Sequence, residues 1–331
     1  MTIIDMHSHF FPESWPDLAE RFGTPDWPWL KHVGPGRGMV MLGDKEFRPI
    51  TSLCWDPAVR IEDMDRQGVD LQLICATPVL FAYQRPAEHA AVCAQIFNDA
   101  ALDLCARSDG RFRALCQVPL QDTDAACAEL TRAMGAGHVG VQIGNHVGLR
   151  ELDDEGIVTF LQHCAAEGAP VLVHPWDMMA RERMTKHMMS WTVGMPAETQ
   201  LSIVTMILGG VFDRVAPSLK ICFAHGGGSF AFLLGRLENA WHRRDIVRGK
   251  STQPPSAYVD RFSVDSAVFD SRALRLLVDV MGEDRVMLGS DYPFPLGEEK
   301  IGNLIASAPD LTESAMTKLL SANATAFFQL D

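Results

Sequence analysis

Residues 170–174 read PVLVH, a short apolar run that ends in a histidine, and similar runs recur along the whole chain. Nearly continuous apolar stretches of this length are typical of strands buried on both faces of a parallel sheet. We predict eight such strands, at residues 3–9, 69–77, 112–118, 139–144, 170–174, 219–225, 261–266 and 286–291.

Helical patterns separate these strands. The predicted helices lie at residues 58–67, 88–107, 124–134, 153–167, 197–208, 229–247 and 272–281. Eight strand–helix units in one chain favour an α/β fold of the (β/α)8 TIM-like barrel type over an open doubly wound sheet. No glycine-rich dinucleotide fingerprint follows the first strand, which also counts against the open sheet.

Composition limits the classes of protein that this chain can belong to. Of its 331 residues 47% are hydrophobic and 21% are charged, and we expect residues 1–331 to form a single barrel domain. The formal net charge of −13 argues against a nucleic-acid partner. We find neither a signal peptide nor an apolar run of the roughly 20 residues that span a membrane, so we expect a cytoplasmic protein.

Residues 10–55 interrupt the strand–helix alternation between the first strand and the first helix. The segment is rich in Pro, Gly and Trp, and residues 38–50 (GMVMLGDKEFRPI) look like a short hairpin. In a barrel, the loops that follow the carboxyl ends of the strands surround the active site. A long insertion at this point predicts a lid or a pocket wall.

The strongest local signal is the pair His7 and His9 at the end of the first predicted strand. Side chains two residues apart on a strand share one face, so the two imidazoles converge. A polar pair alone could simply end a strand, but the fifth strand ends in His174 and the eighth in Asp291. Nitrogen and carboxylate ligands without thiolate suit Zn2+ or another divalent metal. We therefore predict one divalent metal held by these four residues.

Two further polar residues end predicted strands, and each has more than one interpretation. His225 ends the sixth strand and could be a further ligand, a core histidine or a base; the base is favoured because the metal already has four ligands. Asp265 ends the seventh strand and could contact a ligand or a histidine, or could cap the following turn.

The remaining cysteines and histidines do not predict a second metal site. The eight cysteines form no C-x-x-C pair and several lie in apolar runs, which favours buried reduced thiols. The other histidines lie in loops or helical patterns, and we assign no metal role to His32, His89, His138, His146, His163, His187 and His242.

Five stretches carry a family resemblance that extends from about residue 3 to about residue 329. They read MHSHFFP (6–12), LVHPWDMM (172–179), CFAHGGGSFAFLLGR (222–236), DSAVF (265–269) and MLGSDYPFPLGE (287–298). Together they resemble the 2-amino-3-carboxymuconate-6-semialdehyde decarboxylases of the amidohydrolase superfamily. Many amidohydrolases share the first stretch, whereas the second and third are more specific to this decarboxylase group.

The resemblance implies a distorted barrel with one Zn2+ per subunit, held by the four predicted ligands. It implies that His225 is the catalytic histidine and that Arg48 binds a substrate carboxylate. It also implies a homodimer in which Arg236 reaches the neighbouring active site, with Arg244 in the same region. Arginines suit such a role because their planar guanidinium groups bind carboxylates through two hydrogen bonds.

The expected function is zinc-dependent, non-oxidative decarboxylation of 2-amino-3-carboxymuconate 6-semialdehyde, in tryptophan (kynurenine) or 2-nitrobenzoate catabolism. We expect His225 to deprotonate a metal-activated water in this reaction. Two alternatives within the enzymes are a related aromatic-acid decarboxylase and a metal-dependent hydrolase or hydratase. A further alternative, from another class, is a metal-binding scaffold without activity.

Overall fold

Eight parallel strands form a closed barrel in the computed structural model, which describes residues 2–330. The strands are β1 (Ile4–Phe10), β2 (Leu71–Ala76), β3 (Phe112–Ala114), β4 (Val141–Gly144), β5 (Val171–His174), β6 (Ile221–Phe223), β7 (Ser263–Asp265) and β8 (Val286–Met287). This arrangement confirms the predicted (β/α)8 fold.

The ring of strands consists of two hydrogen-bonded sheets, β1–β2–β3 and β4 to β8. At one junction a single bridge pairs Cys116 with Val141. At the other, Ser8 pairs with Tyr292, and the His7 carbonyl accepts from the Asp291 amide at 2.9 Å. The first and last strands of the barrel therefore meet beside the predicted ligands.

Helices cover the outside of the barrel, one after each strand. They are α1 (Pro57–Gln67), α2 (Ala87–Ala106), α3 (Thr123–Ala136), α4 (Glu155–Glu167), α5 (Met195–Leu208), α6 (Phe230–Arg243), α7 (Ser271–Met281) and α8 (Asn323–Phe328). Aspartate side chains cap the first turns of α1, α3, α4 and α7, which is the expected start signal. Within residues 2–330, the structure contains no helix with the length and apolar character needed to cross a membrane.

Shorter elements complete the chain. Helical turns lie at Leu18–Phe22, Ser52–Cys54, Pro78–Leu80, Arg181–Arg183, Ser190–Gly194, Val211–Arg214, His225–Gly227, Asp245–Arg248, Pro255–Arg261, Asn303–Ala306, Glu313–Thr317 and Lys318–Ala322. A two-stranded ribbon joins His146–Val147 to Arg150–Glu151.

The insertion folds as a small antiparallel sheet of three strands, Pro28–Gly34, Arg37–Leu42 and Lys45–Thr51. The sequence predicted only the last two strands as a hairpin. The first strand was missed because most of its side chains are exposed or only half-buried, so it has no apolar alternation.

Three predicted strands and one predicted helix end at least two residues earlier in the structure than the sequence predicted. β3 ends at Ala114, although the predicted strand runs to residue 118. β6 ends at Phe223 and β8 at Met287, while His225 and Asp291 follow in left-handed conformations with φ of +55° and +61°. Left-handed backbone cannot continue a strand, so both predicted site residues lie beyond the strand ends, and His225 begins the short turn His225–Gly227. α6 ends at Arg243, because Arg244 is extended at φ −140° before the separate turn Asp245–Arg248.

The barrel interior holds an apolar cluster distinct from the larger core between strands and helices. Its members include Met6, Leu73, Cys75, Leu172 and Cys222, each completely buried. All eight cysteines are free and six are buried, in line with the expected reduced thiols.

Gly228 generates a first prediction, because it packs the His225 loop against α5. Its φ is +63°, and an added Cβ would overlap the Pro196 carbonyl oxygen. Gly228→Ala should therefore cost about 2–4 kcal/mol through backbone strain and overpacking, measured by thermal or denaturant unfolding. The control is Gly235→Ala in α6, where a Cβ meets nothing within 4 Å and stability should hold or rise. Equal stability of the two variants would contradict the packing argument.

Candidate active site

The four predicted ligands converge at the carboxyl end of the barrel. His7, His9, His174 and Asp291 each offer one atom, and these atoms lie within 4.8 Å of one another. His7 Nε2 lies 3.2 Å from His9 Nε2, and His9 Nε2 lies 3.1 Å from Asp291 Oδ1. β1 supplies the first two residues, β5 supplies the third, and the left-handed residue after β8 supplies the carboxylate.

The environment of these atoms fits a bound cation. All four side chains are buried, and His174 Nε2 has no hydrogen-bond partner within residues 2–330. Burial lowers the pKa of His9 to about 4, and burial with the neighbouring His9 and His7 lowers the pKa of His174 well below its ordinary value. Burial opposes ionisation of Asp291, but His225 and His9 hold its pKa well below the usual range. Neutral imidazoles and an ionised carboxylate are the states in which these groups bind a divalent metal.

Asp265 fills both roles that the sequence left open. Its Oδ2 accepts from His7 Nδ1 at 2.7 Å, and its Oδ1 accepts from the amides of Gly226 at 2.8 Å and Ala267 at 3.0 Å. Burial lowers the pKa of His7, but Asp265 outweighs this and raises it, so the aspartate increases the basicity of that ligand. Gly289 permits this contact, since a Cβ there would lie 2.7 Å from the Cβ of Asp265 and 2.9 Å from that of His7.

A buried polar network below the ligands was missed by the sequence analysis. Arg60 donates to the His9 carbonyl at 2.7 Å, to Ser8 Oγ at 2.7 Å and to Gln72 Oε1 at 2.8 Å. Gln72 in turn donates to Asp5 at 3.0 Å, and Asp5 accepts from the Ser290 amide at 3.0 Å. The network thus links the backbone around His9 to the residue before Asp291. Neither residue spacing nor composition reveals these partners, because they come from distant parts of the chain.

His225 stands beside the ligands without joining them. Its ring centroid lies 5.2 Å from that of His7 and 5.1 Å from that of His174, and its Nε2 lies 3.6 Å from Asp291 Oδ2. Both ring nitrogens lack a hydrogen-bond partner among the described residues, although the side chain is only 10% exposed. A buried imidazole with two free nitrogens is available to a substrate or a water.

Arg48 approaches the same site from the insertion. Its guanidinium carbon lies 4.3 Å from the centre of the Phe294 ring, and that ring lies 5.4 Å from the His9 ring. Burial lowers the pKa of Arg48 and the nearby charge of Asp291 opposes the shift, but the side chain forms no ion pair within residues 2–330. The group remains a cation with free donors near the ligands.

Arg236 and Arg244 are not brought to the site of their own chain. Arg236 is exposed on α6, and Arg244 is exposed at the break that follows this helix. Neither side chain forms an ion pair within the part of the chain that the structure describes. Their expected role in substrate binding therefore stays a prediction that depends on a second subunit.

Comparison with known proteins now places the chain. The model of the family described as "Amidohydrolase" matches residues 4–330. The chain belongs to this amidohydrolase family. It is also 42% identical to the 2-amino-3-carboxymuconate-6-semialdehyde decarboxylase of Dictyostelium discoideum, over 99% of this chain and 92% of the relative. The match confirms the resemblance seen in the five sequence stretches.

Two solved structures share the fold. The 5-carboxyvanillate decarboxylase of Sphingomonas paucimobilis has a TM-score of 0.83 and 25% identity, covering 100% of this chain and 99% of its own. A dihydroxybenzoic acid decarboxylase of Polaromonas sp. JS666, solved with bound manganese, has a TM-score of 0.79 and 20% identity, covering 99% and 97%. With these relatives and its ligand cluster, the chain is a metal-dependent decarboxylase of the amidohydrolase fold.

The ligand cluster predicts the metal content of the purified protein. Wild-type protein should carry about one divalent ion per chain, and His174→Ala or Asp291→Ala should weaken binding by more than the roughly 10–100-fold typical of outer-shell changes. The measurement is elemental analysis of the protein after dialysis against a series of chelators of increasing affinity for the metal. His138→Ala is the control, because the buried His138 ring bonds to the Ala133 carbonyl and to no other group in the described part of the chain. Full metal content in either ligand variant would exclude this site.

Proposed function

We propose that the chain converts 2-amino-3-carboxymuconate 6-semialdehyde to 2-aminomuconate 6-semialdehyde and CO2, with Zn2+ as its metal. The observation that carries this proposal is His225, whose ring nitrogens have no partner among the described residues, beside a separate four-residue ligand cluster. The choice of substrate is supported by the 42% identity to the Dictyostelium decarboxylase. Catabolism of tryptophan (kynurenine) or 2-nitrobenzoate, in the cytoplasm, is the corresponding biological setting.

The metal and the histidine have different tasks in this proposal. When bound, a divalent ion at the cluster supplies a Lewis acid that lowers the pKa of a water towards ~7. Zn2+ suits three imidazoles and one carboxylate, although the manganese in the dihydroxybenzoic acid decarboxylase makes Mn2+ the main alternative. His225 accepts a proton from water at Nε2, the nitrogen that faces Asp291.

The net reaction exchanges one carboxylate for one proton. The electrons of the broken C–C bond stay on the carbon, which takes the proton that water gave up. The substrate carboxylate and one water thus become the new C–H bond, CO2 and one hydroxide ion. His225 is the group that moves this proton, because it is the one imidazole of the site outside the ligand cluster. The surrounding burial excludes bulk water, which strengthens each charge interaction at the reacting carbon.

Arg48 selects an acidic substrate. The chain as a whole carries a formal net charge of −13, so an anionic substrate needs a local cation. Arg48 is half-buried, has no carboxylate partner among residues 2–330 and lies against Phe294 near the ligands. A guanidinium group in this position can bind one carboxylate through two hydrogen bonds, with the insertion as the wall of the pocket.

A second copy of the chain supplies the other arginines. Phe232 is 77% exposed on α6, one turn before Arg236, and Ile246 is 85% exposed close to Arg244. Residues four apart on a helix share a face, so Phe232 and Arg236 project together. Large exposed apolar side chains beside arginines that form no ion pair within residues 2–330 support an interface between two copies. In the homodimer that we propose, Arg236 reaches the neighbouring active site.

The assay of His225 tests the reaction. His225→Ala should lower kcat by about 10²–10⁴-fold, the usual contribution of general acid–base catalysis, while the metal content is retained. The measurements are the loss of absorbance of freshly generated substrate and the release of CO2, with His138→Ala as the control. Near-normal turnover by a metal-loaded His225→Ala protein would disprove the base assignment.

The same assays separate the alternatives. Release of CO2 from 5-carboxyvanillate or a dihydroxybenzoate, but not from the muconate semialdehyde, would instead show a related aromatic-acid decarboxylase. Consumption of an unsaturated acid or a lactone without CO2 would show a hydratase or hydrolase. A metal-loaded protein without any of these activities would favour the interpretation as a metal-binding scaffold.

Subunit mixing tests the role of Arg236. Arg236→Ala and His225→Ala should each be inactive, because each dimer then lacks one required group in both sites. After the two variants are mixed and exchanged, activity should return to about a quarter of wild type, because half of the dimers are mixed and each has one intact site. Sizing by ultracentrifugation accompanies the assay. If mixed dimers are shown to form but activity does not return, Arg236 does not act in the neighbouring active site.

A further inference from the structure

The protonation state of the His9 ring follows from its position. Its Nε2 lies 3.2 Å from His7 Nε2 and 3.1 Å from Asp291 Oδ1, so this nitrogen is the one directed at the metal. A neutral imidazole that binds a metal through Nε2 has its single hydrogen on Nδ1. That hydrogen needs an acceptor, because the His9 side chain is only 1% exposed.

The acceptor of this hydrogen is a thiol. The sulfur of Cys75 in β2 lies 3.4 Å from His9 Nδ1 and is the only hydrogen-bond partner of that nitrogen within residues 2–330. The other two histidine ligands have more usual partners: His7 faces the Asp265 carboxylate at 2.7 Å, and His174 faces the Pro175 carbonyl at 2.8 Å. The ring of His9 alone depends on a neutral sulfur.

Gln142 in β4 fixes the direction of this thiol. Its Nε2 donates to the Ala76 carbonyl at 2.7 Å, which leaves Oε1 directed at the Cys75 sulfur to accept the S–H hydrogen. The Ser8 carbonyl, 3.2 Å from the sulfur, is a second acceptor. With its hydrogen directed to these acceptors, the sulfur presents a lone pair to His9 Nδ1.

We propose that Cys75, oriented by Gln142, is a positioning residue for the metal ligand His9. It accepts the Nδ1–H hydrogen, fixes the tautomer and the plane of the ring, and thereby sets how tightly the chain retains its divalent ion. The inference rests on a metal at the four-residue cluster, which the proposed function also uses, but it is independent of the substrate.

The experiment compares two buried cysteines of the barrel interior. Cys75 and Cys222 are both 0% exposed and belong to the same apolar cluster, but the Cys222 thiol donates to the Phe223 carbonyl and hydrogen-bonds to none of the four metal-ligand residues in the described structure. The Kd for Zn2+ is measured by competition with a chromophoric chelator for wild type, Cys75→Ala, Cys75→Ser and Cys222→Ala. Visible absorption of the Co2+-loaded proteins reports the ligand geometry, and melting of the metal-free proteins reports the loss of packing.

Cys75→Ala should weaken Zn2+ binding by about 10–100-fold and change the Co2+ spectrum, as expected for an outer-shell partner of a histidine ligand. Cys222→Ala should keep both the Kd and the spectrum, and Cys75→Ser should restore most of the affinity because a hydroxyl oxygen accepts the same hydrogen. If Cys75→Ala does not fold, Cys75→Val replaces it, since valine fills the space but accepts no hydrogen bond.

Equal Kd values for the two alanine variants, or a serine variant as weak as the alanine or valine variant, would overturn the proposal. Wild-type protein that binds no Zn2+ or Co2+ at all would overturn the metal centre itself, a separate result. Normal metal binding without decarboxylase activity would count against the proposed reaction and leave the role of Cys75 intact.

Discussion

The main constraint on the site is the mutual repulsion of the lone pairs on its ligand atoms, which are buried together away from water. Three imidazole nitrogens and a carboxylate oxygen lie within 4.8 Å of one another, and their side chains are all buried. In a low-dielectric environment, groups of this kind are unfavourable neighbours unless a cation or a proton lies between them. The fold therefore accepts a local cost in stability that binding of a divalent ion offsets. The barrel core supplies the stability that makes such a cost tolerable.

The surrounding residues divide the work of holding these atoms in place. Asp265 accepts a hydrogen bond from the His7 ring and fixes its orientation. Arg60 donates to the His9 carbonyl, and Asp5 accepts from the amide of Ser290, the residue before Asp291. Arg60 and Asp5 are opposite charges linked through Gln72, so neither is left uncompensated inside the protein. His225 differs from these residues, because its backbone is left-handed and its ring nitrogens have no hydrogen-bond partner within residues 2–330. Strained backbone and unsatisfied polar atoms of this kind are concentrated where a protein acts on a ligand.

The sequence predicted the parts of the fold and site that depend on local pattern. All eight strands and the convergence of His7, His9, His174 and Asp291 follow from apolar runs that end in polar residues. The ends of β6 and β8 could not be predicted, because they depend on left-handed backbone that only the packed loops impose. The first strand of the insertion is exposed and has no periodic signal. From the sequence, Arg60 and Cys75 look like ordinary helix and core residues, because their roles arise from contacts with residues far away in the chain.

The position of the ligands in the chain has a consequence for how the protein matures. The junction of β1 with the segment after β8 joins residues at opposite ends of the sequence, and the Asp5–Ser290 contact spans 285 positions. Closure of so long a loop is entropically costly and comes late in folding. The complete set of ligands therefore exists only when synthesis has passed Asp291 and the ring of strands has closed. The metal can thus bind at full affinity only after the barrel has closed. Nascent chains, and chains truncated before Asp291, lack at least one ligand and bind the ion more weakly.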